Sequence, residues 1–373
     1  MAAPPGDARQ RVRRGLRVGV VALACALAGP ALLIPDPGRP ATSPPPAPGI
    51  TVDGAQLLRD GEPWIPRGFN LIGLLTPAWC DRATGIAARE HFGADELAAA
   101  RDWGADALRF QVSQRGLADP AVAADDRSAY LARVLDGVDR ARAAGFAVIV
   151  SMQDQTYGCG DVHPLPSGMT TDAWRVLAPE LADDPDVLLE LFNEPRNEAD
   201  AAGWAQWRDG GSAPDANRGD PAVGHQALVD LLRSLGSTNV LVADAARLGE
   251  RSTGMPRLDD PLRRVAYAIH PYYFQPDEPW WDEHYGDLAA DVPVLATEWN
   301  YLAGECGTEA ERLAPHLLDY LAEHGIGVFG HAFDIPTRTV ADWSWTPTRC
   351  GSAVGGSGAV LRDHFRSQAR GDD

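Results

Sequence analysis

Between residues 64 and 331 the chain repeats one pattern eight times: a short apolar run, a polar side chain at its end, then a stretch of other character. The runs are 64–71, 105–112, 146–152, 187–192, 240–242, 265–269, 292–296 and 326–329. Apolar residues at consecutive rather than alternate positions belong to strands buried on both faces, as in a parallel sheet covered by helices. Helical spacing lies between several of them. Tyr130, Leu131, Val134, Leu135 and Val138 follow the acidic Asp125 and Asp126 and precede Gly145, which predicts an amphipathic helix with a start and a stop. Residues 171–182 open on Thr-Asp and put Trp174, Val176, Leu177 and Leu181 on one face; 222–235 and 311–323 read the same way. Eight such units predict an α/β fold, a (β/α)8 TIM barrel forming one catalytic domain. A doubly wound open sheet is the alternative, but no GxGxxG follows the first strand.

The run ends carry the chemistry. They present Asn70, then Arg109 and Gln111, Gln153-Asp154, Asn193-Glu194, Asp244, His270, Glu298, and His331 with Asp334 close behind. In a (β/α)8 barrel the C-terminal strand ends and their loops form the pocket. Unpaired buried charges are costly there, so these groups must pair with one another or serve a ligand. Composition narrows the reaction. All 33 basic residues are Arg, and without Lys there is no Schiff-base or pyridoxal chemistry and no Walker A loop. A net charge of −19 argues against nucleic acid, which needs cations to neutralise phosphates. A serine hydrolase would want a GxSxG elbow; Gly355-Gly356-Ser357-Gly358 is followed by Ala359 instead. A metal-dependent barrel hydrolase would want His-x-His on strand one, where Asn70 stands. No metal and no cofactor are expected.

Glu194 lies at the mouth of strand four, where Pro195 ends the ladder, and Glu298 at the mouth of strand seven. Strands four and seven are nearly opposite in an eight-stranded barrel, so the two carboxylates face each other across the cleft. Glycoside hydrolysis needs such a pair, one to protonate the leaving oxygen and one to attack the sugar or activate water. Asn193-Glu194-Pro195, His270-Pro271-Tyr272 and Thr297-Glu298-Trp299, with Arg109 on strand two, resemble family 5 of the glycoside hydrolases, the cellulase family, over residues 60–345. The resemblance implies a retaining double displacement with Glu194 as acid/base and Glu298 as nucleophile. It further implies that Asn193 holds the sugar 2-hydroxyl, Arg109 keeps Glu298 ionised, Tyr272 donates to Glu298, and His270 orients Glu194 or the leaving side.

Two positions depart from the family's pattern. Strand three ends in Gln153-Asp154 where the family has a sugar-contacting His. Strand eight offers Phe329, His331 and Phe333 in place of a Trp platform, a role left to Trp343 or Trp345 in the following loop. Pyranose rings stack on aromatics, and Trp299 and Trp343 are the expected contacts. The implied substrate is a carbohydrate, a β-1,4-type glucan or mannan. The alternatives are a catalytically silent polysaccharide-binding barrel, or a β-glycosidase or transglycosylase acting on another glycan or glycolipid.

Five Arg within residues 9–17 precede an apolar stretch from Val18, the layout of a secretory signal. Residues 1–34 are thus expected to be a signal peptide or N-terminal membrane anchor, 35–49 a Pro-rich linker, 50–368 the barrel and 369–373 a tail. The protein is expected to be secreted or tethered outside the cytoplasm, and monomeric. Beyond Cys25 four cysteines remain, and an even number in an oxidising compartment suggests disulfides. Cys306 and Cys350 follow adjacent strands, seven and eight, and are expected to pair. Cys80 and Cys159 would join the loops after strands one and three.

Overall fold

The computed structural model describes residues 49–75, 77, 79, 83–153, 163–213, 217, 219–272 and 278–370. Eight parallel strands close into a barrel: β1 (Arg67–Leu71), β2 (Ala107–Ser113), β3 (Ala147–Gln153), β4 (Val187–Glu190), β5 (Leu241–Asp244), β6 (Val265–Ile269), β7 (Val294–Trp299) and β8 (Gly327–Gly330). Each pairs with its sequence neighbours, and β8 closes on β1. All eight apolar runs are barrel strands.

The alternation of side chains along a strand sorts these residues into two cores. One set of positions, including Phe69, Leu108, Phe110, Val148, Val150, Leu189, Tyr267, Ile269 and Val328, packs outward with the helices in one large cluster. The other set faces the barrel axis: Ala107, Ile149, Leu188, Val242, Ala268, Leu295 and Phe329 form a separate cluster. Gly68 belongs to this inner layer because a Cβ there would collide with the Phe329 ring. Below it, strands Ile50–Asp53, Gln56–Arg59 and Glu62–Pro63 form a small antiparallel sheet, and Ile50 and Leu57 join the inner cluster. One inward step further up each strand, apolar side chains give way to Asn70, Arg109, Ser151, Glu190 and Asp244, all fully buried.

β7 breaks this rhythm. Its register against β8 runs Ala296 to Val328 and then Trp299 to Gly330, so β7 spends one extra residue there. Such a bulge turns consecutive side chains to the same face and re-aims the residues beyond it. Thr297 and Glu298 both meet inward groups, and Trp299 is sent outward into the helix-facing core.

The helices keep to their patterns with corrections at their starts and on one face. The predicted helix after β2 spans Ala124–Ala143 and buries Tyr130, Val134 and Val138. The next spans Gly168–Leu181, starting earlier than predicted, with Thr170 Oγ1 accepting the Ser167 N–H at its first turn (2.9 Å). Its buried face is Trp174, Leu177, Ala178 and Leu181; Val176 is 39% exposed, being only two positions from Trp174 and therefore on another face. The segment expected over 222–235 is helical only from His225 to Ser234, since Ala222–Val223 pairs as a strand with Gly210–Gly211. The last predicted helix spans Glu309–Glu323, capped by Thr308. No helix among the described residues is long and apolar enough to cross a membrane.

Candidate active site

Arg109 organises the mouth of the barrel. From β2 its fully buried guanidinium donates to Glu190 Oε2 (2.7 Å), Glu298 Oε1 (2.7 Å), Asn70 Oδ1 (2.6 Å), Ser151 Oγ (2.9 Å) and Asn193 Oδ1 (2.6 Å), and again to Glu190 Oε1. Burial alone would lower its pKa; Glu190 and Glu298 outweigh that and hold it above the ordinary arginine value. A rigid, always-charged fork suits a buried site that must orient several oxygens at once.

Glu298 is the most constrained carboxylate. It also accepts from Gln111 Nε2 (2.8 Å) and from the Tyr272 hydroxyl (2.9 Å), with His331 Nε2 at 3.8 Å and His270 Nδ1 at 4.0 Å. Burial pushes its pKa up, but the neighbouring His331, His270 and Arg109 prevail and hold it far below the usual carboxylate range. Burial depresses the His331 pKa, so at neutral pH His270 and Arg109 supply the positive charge. Tyr272 keeps its proton, its pKa raised by burial and by Glu298 and Glu194.

Glu194 stands opposite, less enclosed, with its side chain 17% exposed. Its Oε1 lies 3.1 Å from His270 Nδ1, and His270 Nε2 lies 3.0 Å from Thr297 Oγ1. Burial lowers the His270 pKa, yet Glu298, Glu194 and Asp244 outweigh it and bring the imidazole up to about 9. Oxygens of Glu194 and Glu298 and a His270 nitrogen all lie within 4.8 Å of one another. Binding a metal there would require His270 to release a proton, since a charged imidazole donates from both nitrogens. The geometry favours proton transfer.

An open cavity of about 400 Å³ sits over these groups, lined by Gln111, Gln153, Asn193, Glu194, Leu248, Glu250, Tyr272, Glu298, Asn300, Leu302, Glu305, His331 and Arg338. Arg109, Asn193, Glu194, His270, Tyr272 and Glu298 thus come together as the sequence predicted. The two tryptophans do not join them. Trp299 is fully buried on the outer side of the β7 bulge and has no face for a sugar. Trp343 stacks on His91 (3.8 Å between ring centres) and packs against the Ile72, Ala88, Ala332 and Ile335 cluster, outside the cavity lining. Cys306 and Cys350 form the expected disulfide, Cα–Cα 5.5 Å. Cys80, Cys159 and Asp154 lie outside the described residues.

Several contributors carry no sequence signal strong enough to single them out. Glu190 holds two edges of the Arg109 fork; its inward parity, two residues after Leu188, was the available clue. Glu250, Asn300, Glu305 and Arg338 reach the cavity from loops, where no periodicity applies.

A carboxylate held ionised across a 400 Å³ cleft from a second carboxyl in contact with a proton donor is an arrangement for breaking glycosidic bonds, and it places the molecule among the barrel glycosidases. The sequence profile described as Cellulase (glycosyl hydrolase family 5) matches residues 71–335. The chain belongs to that family. Among solved structures it is similar to a β-glucanase from Saccharophagus degradans in complex with cellotetraose (18% identity, 90% of this chain and 98% of that one, TM-score 0.63). It is also similar to the catalytic domain of an endoglucanase from Thermobifida fusca (19%, 85% and 97%, 0.60) and to a β-mannanase from Streptomyces thermolilacinus (21%, 81% and 93%, 0.56). No curated protein matches the chain by sequence.

Proposed function

We propose that the protein is a retaining β-glycosidase acting on a β-1,4-type glucan or mannan, with Glu194 as acid/base and Glu298 as nucleophile. The observation that carries this reading is the approach of the two carboxylates to within 4.8 Å. Retaining enzymes hold their carboxyl groups about 5 Å apart, whereas inverting ones need about 6.5–9.5 Å to admit a water between them. Glu194 protonates the glycosidic oxygen as the bond to C1 breaks, while Glu298 attacks C1 from the opposite face and forms a glycosyl ester. Glu194, now a carboxylate, takes a proton from water, which attacks C1 and releases Glu298 with retention. Asn193, fixed by Arg109, faces the cleft as a partner for the sugar 2-hydroxyl. The glucan or mannan assignment is supported by the similar glucanases and mannanase, and a panel of β-glucan, β-mannan, xylan and aryl β-glycosides decides it.

Mutant chemistry tests the two roles. Glu194→Ala should fail on poor leaving groups, keep the first step on an activated aryl glycoside, and release a β-glycosyl azide when azide is supplied. Glu298→Ala should be nearly silent on both substrates, with azide giving the inverted product. Near-normal aryl turnover by Glu298→Ala, or one anomeric configuration from both variants, would overturn the assignment.

The same reading has the barrel exported. The basic and apolar stretch of residues 9–34 supports a signal peptide or membrane anchor, and the Cys306–Cys350 disulfide suits an oxidising compartment. We further propose that Cys80 pairs with Cys159 and that the protein works as a monomer. Full-length protein found wholly in the cytosolic fraction would refute the export.

A further inference from the structure

Asp244, at the end of β5, is fully buried and has no part in the two-glutamate scheme. Its Oδ2 accepts the backbone N–H of Glu194 at 2.9 Å and lies 3.6 Å from His270 Nε2. The conformation it holds is unusual. Glu194 has φ +53°, a left-handed backbone that a residue with a Cβ rarely adopts. That conformation has a use. In an extended strand consecutive side chains point to opposite sides, yet Asn193 and Glu194 both line the cavity. The left-handed step lets both face the sugar.

The turn is braced from the same direction. Just past β5, Leu248 N–H donates to Pro195 O (3.2 Å) and Arg247 N–H to Asn197 O (3.1 Å). The loop after β5 therefore runs bonded alongside the loop after β4, with Asp244 as its side-chain contact to Glu194 itself.

We propose that Asp244 is a positioning residue for the acid/base: its carboxyl fixes the left-handed turn that aims Glu194 at His270 and into the cleft. The proposal rests on the reading of Glu194 as acid/base. An amide oxygen of the same shape can accept the Glu194 N–H at the same place, so Asn should serve nearly as well. A proton donor misplaced by about 1 Å can cost on the order of a hundredfold in rate.

The test compares cellotetraose, a poor leaving group, with 2,4-dinitrophenyl β-cellobioside, a good one; the mannose equivalents are used if the glycan panel selects mannan. Asp244→Ala should lose about tenfold to a hundredfold in kcat on the oligosaccharide with KM little changed. Its glycosylation step on the aryl substrate, read as the burst rate, should stay within about threefold of wild type, since that step needs little acid help. Asp244→Asn, which can still accept from the Glu194 N–H, should recover most of the loss. Asp244→Ser, too short to reach that N–H, carries the same expectation as alanine should the alanine variant not fold. Equal losses on both substrates, no loss on either, or no recovery with Asn would overturn the proposal. Glu194→Ala measured alongside must show the same split between substrates. If it does not, the acid/base assignment falls first and the positioning role falls with it.

Discussion

Arg109 satisfies two buried carboxylates at once, Glu190 and Glu298. Breaking a buried pair from one side leaves an uncompensated charge and typically costs about 3–5 kcal/mol, more than removing both partners. Arg109→Met should therefore destabilise the fold by that order in urea unfolding. The double variant Arg109→Met, Glu190→Leu should regain part of the loss. A smaller or equal stability of the double variant would show that the pair is not coupled. His270 makes a second residue-scale statement. With its pKa raised to about 9 by Glu298, Glu194 and Asp244 against the effect of burial, the imidazole is charged at neutral pH. It loses its proton, and the acid its charged neighbour, as pH rises through about 9. An NMR titration of the imidazole should show it losing its proton near pH 9; an imidazole already neutral at pH 7 would contradict it.

At the scale of elements, the loops after β7 and β8 behave as one unit. Cys306 and Cys350 link them, Asn300 donates to the His331 carbonyl, and Ser357 N–H donates to Tyr301 O at 3.1 Å. Asn300, Glu305, His331 and Arg338, all on this unit, line the cavity. A cross-link 44 residues apart is worth about 4 kcal/mol on chain entropy. Cys306→Ser, Cys350→Ser should lower the melting temperature and weaken substrate binding, read as KM, more than kcat. Peptide mapping without reduction checks the pair directly, and a Cys80–Cys350 peptide would refute the proposed connectivity. The pairing was readable in the sequence because adjacent barrel strands must carry adjacent loops. The β7 bulge was not: one extra residue leaves no mark on an apolar run, yet it decides that Glu298 faces the cleft and Trp299 does not. Trp343 departs from its expected place for a similar reason, since a loop tryptophan takes whichever apolar surface the finished fold offers, here Ile72 and Ile335 beside His91.

For the whole molecule, buried carboxyls outside the cleft set how stability depends on pH. Asp334 accepts the N–H groups of Ile72 and Gly73 at 2.6 and 2.7 Å, joining the loop after β8 to the end of β1. Burial pushes its pKa up to about 7 against those two hydrogen bonds. Glu96, 1% exposed, is raised by burial and by Asp334. A carboxyl whose folded pKa lies above its unfolded value contributes stability present near pH 4 and lost as pH rises through the folded pKa, at up to about 1.4 kcal/mol per pH unit. His270 acts in the same direction, its contribution present below about pH 6.5 and lost through about 9. Glu298, held low, loses its contribution only on acidification. Unfolding free energy should therefore be greatest at about pH 4–5 and fall from there to about pH 9. Asp334→Asn should flatten the lower part of that fall, and a stability that rises across pH 6–8 would exclude this account.

The sequence by itself determined the number and order of the strands, their parallel arrangement and the residues at their ends. Those features come from local periodicity and from the rule that a strand buried on both faces is apolar throughout. It also placed Glu194, Glu298, Arg109, Asn193, His270 and Tyr272 at one end of the barrel, because parallel strands carry all their C-terminal ends to the same side. Only the tertiary structure decided which way those ends point and what shares the cleft with them. The bulge in β7, the left-handed turn at Glu194, the capture of Arg109 by Glu190 and the arrival of Arg338 and Glu305 each depend on contacts between segments distant in the chain. A barrel must close before any of those contacts exists, and no window of neighbouring residues contains them.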